Sequence, residues 1–288
     1  MPTFNTPEPI SVTLELIVGN VQVIAGERAE TVVDVQPASD SESCLKAAAV
    51  TLVEYADGKL LVQAPKLRRR FFGKKNGRNP DQNTGGILVS IELPSGSEIH
   101  GETALGRLQG LGRFGKCRFK TACGDIDLEE AGELQAETAL GTITVDRVTG
   151  AAELSTSHGE VRINEIGGTA AVKNLNGTTD LGTVMGDLRF TGVNGDFSVK
   201  KAHAHVGAKT ANGNLRIGEI VRGSVALETA TGSVRVGVRE GTAAWLDVHC
   251  LIGTLRNGLR DSGAPGKSEE SVKVRARTLY GDVDVHHA

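Results

Sequence analysis

Thr138-Ala-Leu-Gly141-Thr-Ile-Thr-Val145 is one copy of a phrase that recurs along this chain. Variants of the phrase occupy residues 121–128, 156–163, 210–217, 229–236 and 278–285. From Gly106 to Gly281, the aligned glycines are 18, 17, 18, 18, 18, 18, 19, 21 and 28 residues apart. Self-similarity at a nearly fixed spacing indicates a repeat protein. The sequence therefore predicts a series of similar units of about 18 residues.

Within each unit, apolar and polar residues alternate. Apolar residues stand two and four positions after the glycine, as Ile143 and Val145 do after Gly141, and polar residues stand between them. A period of two predicts strands with one buried side and one side in water. The glycine is predicted to be a corner between two strands, where positive φ or close packing would suit it.

Two arrangements of such strands fit the pattern. Equivalent strands of successive units could pair in parallel as a β-solenoid, or neighbouring strands could pair antiparallel in a hairpin sandwich. The solenoid is favoured because equivalent positions keep their chemistry. In most units, for example, the residue three before the glycine is threonine, which could hydrogen-bond along a stack. We predict an all-β, mostly right-handed, single-chain β-solenoid.

The ends of the chain depart from the repeat, as repeat proteins require. Residues 1–66 are predicted to form a β-rich N-terminal cap, with a first coil near residues 10–23, a short helix within 40–50 and a hairpin at Asp57-Gly58. Residues 67–86 are predicted to be a basic flexible loop. Residues 87–288 are predicted to be the solenoid domain, with a loop insertion at 258–271.

Composition excludes several classes of protein. Glycine contributes 37 of 288 residues, about twice the usual ~7%, yet no Gly-X-Y triplet runs through the chain, so it is not collagen. Frequent glycine also disfavours a helical protein. Net charge is only −3, and neither an apolar run long enough to span a membrane nor an opening typical of a signal peptide is present. We expect a cytoplasmic protein whose four cysteines are reduced.

The phrase Thr-x-x-Gly-[Asp/Ser/Glu/Asn]-Val-x-Val resembles the repeat of the DUF4097 family of bacterial β-strand-repeat proteins, which are labelled adhesins. Residues 6–13, Gly19-Asn-Val-Gln-Val23 and Ile91-Glu-Leu-Pro94 look like the cytosolic actinobacterial members. The resemblance covers nearly the whole chain. It implies a β-solenoid without established catalytic residues.

Motifs for catalysis or cofactor binding are weak. The segment 110–115 matches Gly-x-Gly-x-x-Gly, but a strand rather than a helix is expected after it, so no dinucleotide site is predicted. His203 and His205 could share one strand face, yet no third ligand joins them. No adjacent coils place two acids in the column that follows the glycine corner. We predict no enzyme activity, no cofactor and no metal.

Two basic features could bind anions. The segment 66–78 is rich in cations, and three arginines that stand three residues after a corner could form a ladder along the stack. The candidate anion-binding residues are Arg68, Arg69, Arg70, Lys74, Lys75, Arg216, Arg235 and Arg256.

These observations favour a non-enzymatic, adhesin-like scaffold or interaction protein of unknown partner, with self-association through an end of the solenoid. Two alternatives stay open. One is a carbohydrate-active or carbohydrate-binding β-helix module. The other is a weak binder of polyanions or membrane surfaces through the basic loop and the arginine ladder.

Overall fold

The computed structural model describes residues 1–64, 85–259 and 271–288. This part of the chain forms two compact units. The first comprises Met1–Gly132 and Ala136–Thr138, and the second comprises Glu133–Gln135 and Ala139–Ala288. The described residues are nearly all-β and have a single helix. Strand β10 (Ile126–Leu140) contains the boundary between the units.

The first unit contains nine strands and the helix. Their bounds are β1 (Thr3–Asn5), β2 (Ser11–Glu15), β3 (Gly19–Gly26), β4 (Glu30–Pro37), α1 (Glu42–Ala49), β5 (Leu52–Ala56), β6 (Lys59–Gln63), β7 (Ile87–Pro94), β8 (Glu98–Leu105) and β9 (Leu108–Cys123).

The second unit contains the remaining strands. Their bounds are β11 (Ile143–Val148), β12 (Ala152–His158), β13 (Val161–Ile166), β14 (Ala170–Asn176), β15 (Thr179–Val184), β16 (Leu188–Asn194), β17 (Phe197–Ala202), β18 (Val206–Asn212), β19 (Leu215–Ile220), β20 (Gly223–Thr231), β21 (Val234–Val238), β22 (Ala243–Ile252), β23 (Leu255–Asn257), β24 (Ser271–Tyr280) and β25 (Val283–His287).

Strands of the second unit pair in parallel with the strand two places along the chain. Ile143 of β11 lies opposite Val161 of β13, which lies opposite Thr179 of β15, so equivalent residues form columns. The apolar columns face inward, and Val161 and Ile163 are at most 1% exposed. The predicted β-solenoid is confirmed, and the hairpin sandwich is not the arrangement of these repeats.

In the first unit, the same parallel pairing is combined with antiparallel strands. The predicted first coil is strands β2 and β3, and each pairs in parallel on both sides, β2 with β6 and β8, β3 with β7 and β9. The predicted hairpin joins β5 to β6, with Asp57 and Gly58 at positive φ. The predicted helix is α1, whose N-cap Ser41 accepts a hydrogen bond from the Cys44 amide.

One feature of the second unit was not anticipated from the sequence. The coil formed by β22 and β23 does not pair with the preceding coil of β20 and β21. Instead, β24 lies between β20 and β22, and β25 lies between β21 and β23. The last coil along the chain is therefore an internal coil of the stack, and the coil before it lies at the end.

The corner glycines allow neighbouring coils to approach closely. Gly159 has a φ of 150°, and a Cβ atom there would lie 1.9 Å from the carbonyl oxygen of Gly141 in the adjacent coil. Both the backbone conformation and the lack of space exclude other residues. The same contacts place Gly281 on Gly232 and Gly253 on Gly281, which independently gives the coil order found from strand pairing.

The buried threonines beside these corners hydrogen-bond to the neighbouring coil. Thr229 Oγ1 donates to the carbonyl of Gly213 at 3.1 Å, and Thr278 Oγ1 donates to that of Gly232 at 2.9 Å. Where Gly192 replaces the threonine, the ring of Phe190 fills the space and stacks on Phe197 at 4.5 Å between centroids. Thr121 and Thr156 are exceptions, since their buried hydroxyl groups have no partner among the described residues. The polar column therefore links some neighbouring coils and not all of them.

We predict that Gly159→Ala lowers the free energy of unfolding by about 3 kcal/mol, because it combines positive φ with a backbone collision. Gly207→Ala is the control, since a Cβ atom at Gly207 meets nothing within 4 Å. It should change stability by less than about 1 kcal/mol. Urea denaturation followed by circular dichroism measures both, and equal midpoints for the two variants would contradict the role of the corner.

Candidate interaction surfaces

The three arginines of the predicted ladder lie in one outward-facing column of the second unit, but they are not all adjacent. Arg216 lies directly opposite Arg235. The next residue of the column is Asp284, which lies opposite Arg235 on one side and opposite Arg256 on the other. The prediction of a continuous ladder is wrong, because the returning last coil inserts a carboxylate between the second and third arginines.

Arg216 and Arg235 nevertheless form an adjacent cationic pair. Both side chains are exposed, and neither makes an ion pair or side-chain hydrogen bond within the described residues. Neighbouring strands are separated by about 4.8 Å, so two like charges are held at short range. In contrast, Arg147 binds Glu165 at 2.6 Å and Lys209 binds Glu228 at 2.8 Å elsewhere in the same unit.

The arginine pair lines one side of an open groove across β15, β17, β19 and β21. The hydroxyl groups of Ser198 and Ser233 are on its wall, together with Asn214. Asp180 and Asp196 line the groove toward β15 and β17, and Asp196 accepts hydrogen bonds from Asn214. The groove thus has an acidic side and a basic side.

The five basic residues predicted for the N-terminal loop, Arg68, Arg69, Arg70, Lys74 and Lys75, lie outside the described residues. So does most of the predicted loop insertion at 258–271. Their roles, and the predicted domain boundaries at 66 and 86, stay predictions.

The coil of β22 and β23, which we call the end coil, exposes apolar side chains. Its inward-facing Leu246 and Val248 are half-buried, whereas the residues opposite them, Val274 and Ala276, are completely buried. Leu255 is 45% exposed, although its neighbour in the column, Val283, is 0% exposed. The inward columns therefore end at a surface where apolar groups still meet water.

The backbone edge of the end coil is also unpaired among the described residues. Strand β22 pairs only with β24, and β23 pairs only with β25, so one side of each strand has no described neighbour. Outward-facing Trp245 is 56% exposed and adds a large apolar side chain to this end. Lys273 Nζ lies over its ring, 4.5 Å from the ring centroid. A long edge with free amide and carbonyl groups is a template for further strand pairing.

The glycine motif at 110–115 and the histidine pair lie in ordinary structural elements of the chain. The segment 110–115 lies within strand β9, as expected from the strand predicted after it. His203 and His205 lie in the turn between β17 and β18 rather than on one strand face, and the His205 ring hydrogen-bonds Ser224 Oγ at 2.8 Å. Across residues 1–64, 85–259 and 271–288, no group of three His, Cys, Asp or Glu side chains could hold a metal ion.

The four cysteines are free thiols in different environments. Cys44 and Cys117 are buried, Cys250 is half-buried and Cys123 is exposed. Burial raises the pKa of the Cys117 thiol to about 12, and the charge of Glu98 acts in the same direction. The hydroxyl of Ser39, 3.3 Å from Cys44 Sγ, and that of Ser41 lower the pKa of Cys44.

Sequence reasoning missed the end coil, although its sequence departs from the repeat at Cys250, which holds the usual threonine position, and at Asn257, which stands four residues after Gly253 where other units have an apolar residue. The longer spacings of 21 and 28 residues before Gly253 and Gly281 are the signal that the regular order breaks there.

The helix of the described part of the chain is too short and too polar to cross a bilayer.

We predict that Cys117 is unreactive toward iodoacetamide in the folded protein at pH 8, because with a pKa of about 12 only about one thiol in ten thousand is ionised. Exposed Cys123 should be modified under the same conditions. Peptide mapping by mass spectrometry, before and after unfolding in urea, measures each site. Equal modification rates at the two cysteines in the folded state would contradict the burial of Cys117.

Solved structures similar to this chain include two bacterial proteins. One is a candidate cell adhesion protein from Clostridium sporogenes, 13% identical, with a TM-score of 0.25 over 100% of this chain and 98% of that one. The other is a candidate adhesin from Bacteroides fragilis, 11% identical, with a TM-score of 0.34 over 99% of this chain and 95% of that one.

No curated protein matches the chain. The family model described as Toastrack DUF4097 matches residues 11–286, which is nearly the whole sequence and includes both units. This match agrees with the repeat phrase and with the solenoid of corner glycines. The chain therefore belongs to the Toastrack DUF4097 family.

Proposed function

We propose that this chain is a non-enzymatic interaction protein that associates with a second copy of itself through the end coil. The observation that carries the proposal is the combination of an unpaired strand edge with half-buried inward residues at the same end. Pairing with another strand would satisfy the edge, and covering Leu246, Val248 and Leu255 would remove apolar surface from water.

A second copy fits this surface in a particular register. If two β22 strands pair antiparallel about a two-fold axis at Val248, then Leu246 lies opposite Cys250 and Trp245 lies opposite Leu251. This register keeps inward residues opposite inward residues, because residues directly opposite each other share a face. A two-fold axis makes the contact self-complementary, which is the commonest symmetry of soluble dimers.

Polar groups of β22 match in the same register. Asp247 lies opposite His249 of the second copy, so the pair can form a hydrogen bond twice across the axis. Asp247 also binds Arg275 of the neighbouring coil at 2.9 Å, which holds its carboxylate on the outer face.

We expect the wild-type chain to be a dimer at high micromolar concentration and Val248→Asp to be a monomer, because the variant places two carboxylates at the symmetry axis. Val193→Asp is the matched control. Val193 is 41% exposed and belongs to strand β16, outside the end coil, so this variant should dimerise like the wild type. Sedimentation velocity measures the masses, and circular dichroism confirms folding.

A monomeric wild-type chain across the concentration range would overturn the proposal. A dimer that Val248→Asp leaves intact would place the contact elsewhere. Trp245→Ala is a second variant that removes apolar contact without adding charge, and it should weaken the dimer if the β22 pairing is right.

A second candidate function is weak binding of a polyanion on the outer face of the second unit. The adjacency of Arg216 and Arg235, without an ion-pair partner in the described part of the chain, favours it. A bound sulfate or phosphate group would reduce the repulsion between the two guanidinium groups. Its oxygen atoms would accept hydrogen bonds from the guanidinium N–H groups. Asp284 lies opposite both Arg235 and Arg256 and lowers the contribution expected from each of them.

We predict that the double variant Arg216→Gln/Arg235→Gln elutes from heparin at lower salt than the wild type, because it loses two adjacent cations. The control is Arg162→Gln/Arg189→Gln, which removes the same charge from strands β13 and β16, where the two arginines are not neighbours. Equal elution of the two double variants would exclude a specific pair. Replacing Arg68, Arg69, Arg70, Lys74 and Lys75 by Gln separately measures the contribution of the basic segment.

A further inference from the structure

The outer face of four strands in the first unit carries an ordered grid of polar side chains, most of which are uncharged. The strands lie in the order β4, β7, β3, β9. Along one row, Asp34 lies opposite Ser90, Ser90 opposite Gln22, and Gln22 opposite Gln109. The row thus crosses four strands, or about 14 Å from first to last at the usual strand spacing.

A second row runs beside the first. Gln36 lies opposite Leu88, and Leu88 lies opposite Asn20. The row continues onto the segment that leads into β9, where the backbone amide of Arg107 donates to Asn20 Oδ1 at 3.0 Å. These two rows, which we call the amide grid, line an open groove of about 330 Å³. That volume is within the range of small-molecule sites.

The charges at the grid are already engaged. Arg107 Nε binds Asp127 at 2.7 Å, so its guanidinium has a carboxylate partner. Asp34 accepts a hydrogen bond from Gln36 Nε2 at 2.6 Å. Because the Gln36 amide is neutral, Asp34 keeps its negative charge, and Arg107 is the only cation among the described lining residues. The groove therefore offers little attraction for an anionic ligand, which distinguishes it from the groove beside Arg216 and Arg235.

The amide groups keep capacity for a ligand. Gln22 Nε2 donates to Gln109 Oε1 at 3.3 Å, which orients the two side chains and uses one donor and one acceptor. Each primary amide has two donors and an acceptor with two lone pairs, so both side chains can still donate and accept. Hydroxyl groups, which also donate and accept, are the matching chemistry for a ligand.

Leu88 gives the grid one apolar position. It is 40% exposed and is flanked by Gln36 and Asn20 on the neighbouring strands. An apolar side chain surrounded by amide groups matches a ligand that has hydroxyl groups at its edges, which can hydrogen-bond to the amides, and a face of C–H groups, which can pack on the apolar side chain. An extended peptide would instead favour pockets for its side chains or an open strand edge, and the grid lies on a sheet face.

From this combination we infer that the amide grid is a binding site for a short neutral oligosaccharide. The hydroxyl groups exchange hydrogen bonds with Gln22, Gln109 and Asn20, and a C–H face of the sugar packs on Leu88. The site is independent of the end coil, because its residues belong to the first unit and self-association is proposed for the second.

The test uses the full chain with three neutral tetrasaccharides, cellotetraose, maltotetraose and fully N-acetylated chitotetraose, and with a tetraglycine peptide as the competing class. Side-chain amide signals in ¹⁵N-edited NMR spectra report binding directly. We expect at least one tetrasaccharide to shift the Gln22 and Gln109 signals. Gln22→Ala/Gln109→Ala should weaken that binding by about tenfold or more, because two hydrogen-bonding groups are lost.

The matched control is Asn194→Ala/Asn212→Ala. These two exposed amides also hydrogen-bond to each other, at 2.9 Å, but belong to strands β16 and β18 of the second unit. This variant should bind like the wild type. The inference is overturned if none of the three tetrasaccharides shifts the grid signals at about 10 mM, a concentration above the Kd of even weak ligands. It is also overturned if both double variants lose binding equally or if only the peptide binds.

Discussion

The close approach of successive coils at their corners is the constraint from which the rest of the fold follows. A carbonyl group of one coil occupies the space where the next coil would carry a side chain, so only glycine fits there. With that contact fixed, the register of the flanking strands is fixed too, and residues one repeat apart are placed in one column. The threonine hydroxyl groups then find the carbonyl groups of the neighbouring corner within reach.

Because the register is fixed, the outer faces differ from one place to another only through their side chains. In several columns, an acid and a base of neighbouring coils pair, as Lys201 and Glu219 do at 3.1 Å. Two places have a different character. At Arg216 and Arg235, like charges are adjacent, and at the amide grid, charge is largely replaced by neutral hydrogen-bonding groups. Such departures are where a ligand could contribute what the neighbouring coil does not.

Much of the fold could be predicted from the sequence, because a period of two within a period of about 18 specifies strands, corners and the buried face. The short helix within residues 40–50 and the turn at Asp57-Gly58 follow local rules, and both were predicted correctly. What the repeat does not specify is which coil lies next to which. The returning coil brings Asp284 beside Arg235, a neighbour that depends on pairing between segments distant in sequence.

The amide grid could not be predicted from the sequence for the same reason, because the repeat does not specify which strands become neighbours. Asp34, Ser90, Gln22 and Gln109 come from four strands, two of which pair antiparallel, and no spacing along the chain brings them into one row. Only the cross-strand register does so. The end coil, in turn, alternates apolar and polar residues along β22 as internal strands do, and the exposure of Leu246 and Val248 follows from its place in the stack.

The returning coil also constrains the order in which the second unit can be assembled during synthesis. The coil of residues 243–257 leaves the ribosome first but has no docking surface until residues 271–287 have settled onto β20 and β21. Growth of the stack therefore cannot simply follow translation from the N-terminus to the C-terminus. Residues 243–257 must wait undocked until the last coil has paired with β20 and β21. Loss of the last eighteen residues would therefore remove an internal coil of the stack and not its end coil.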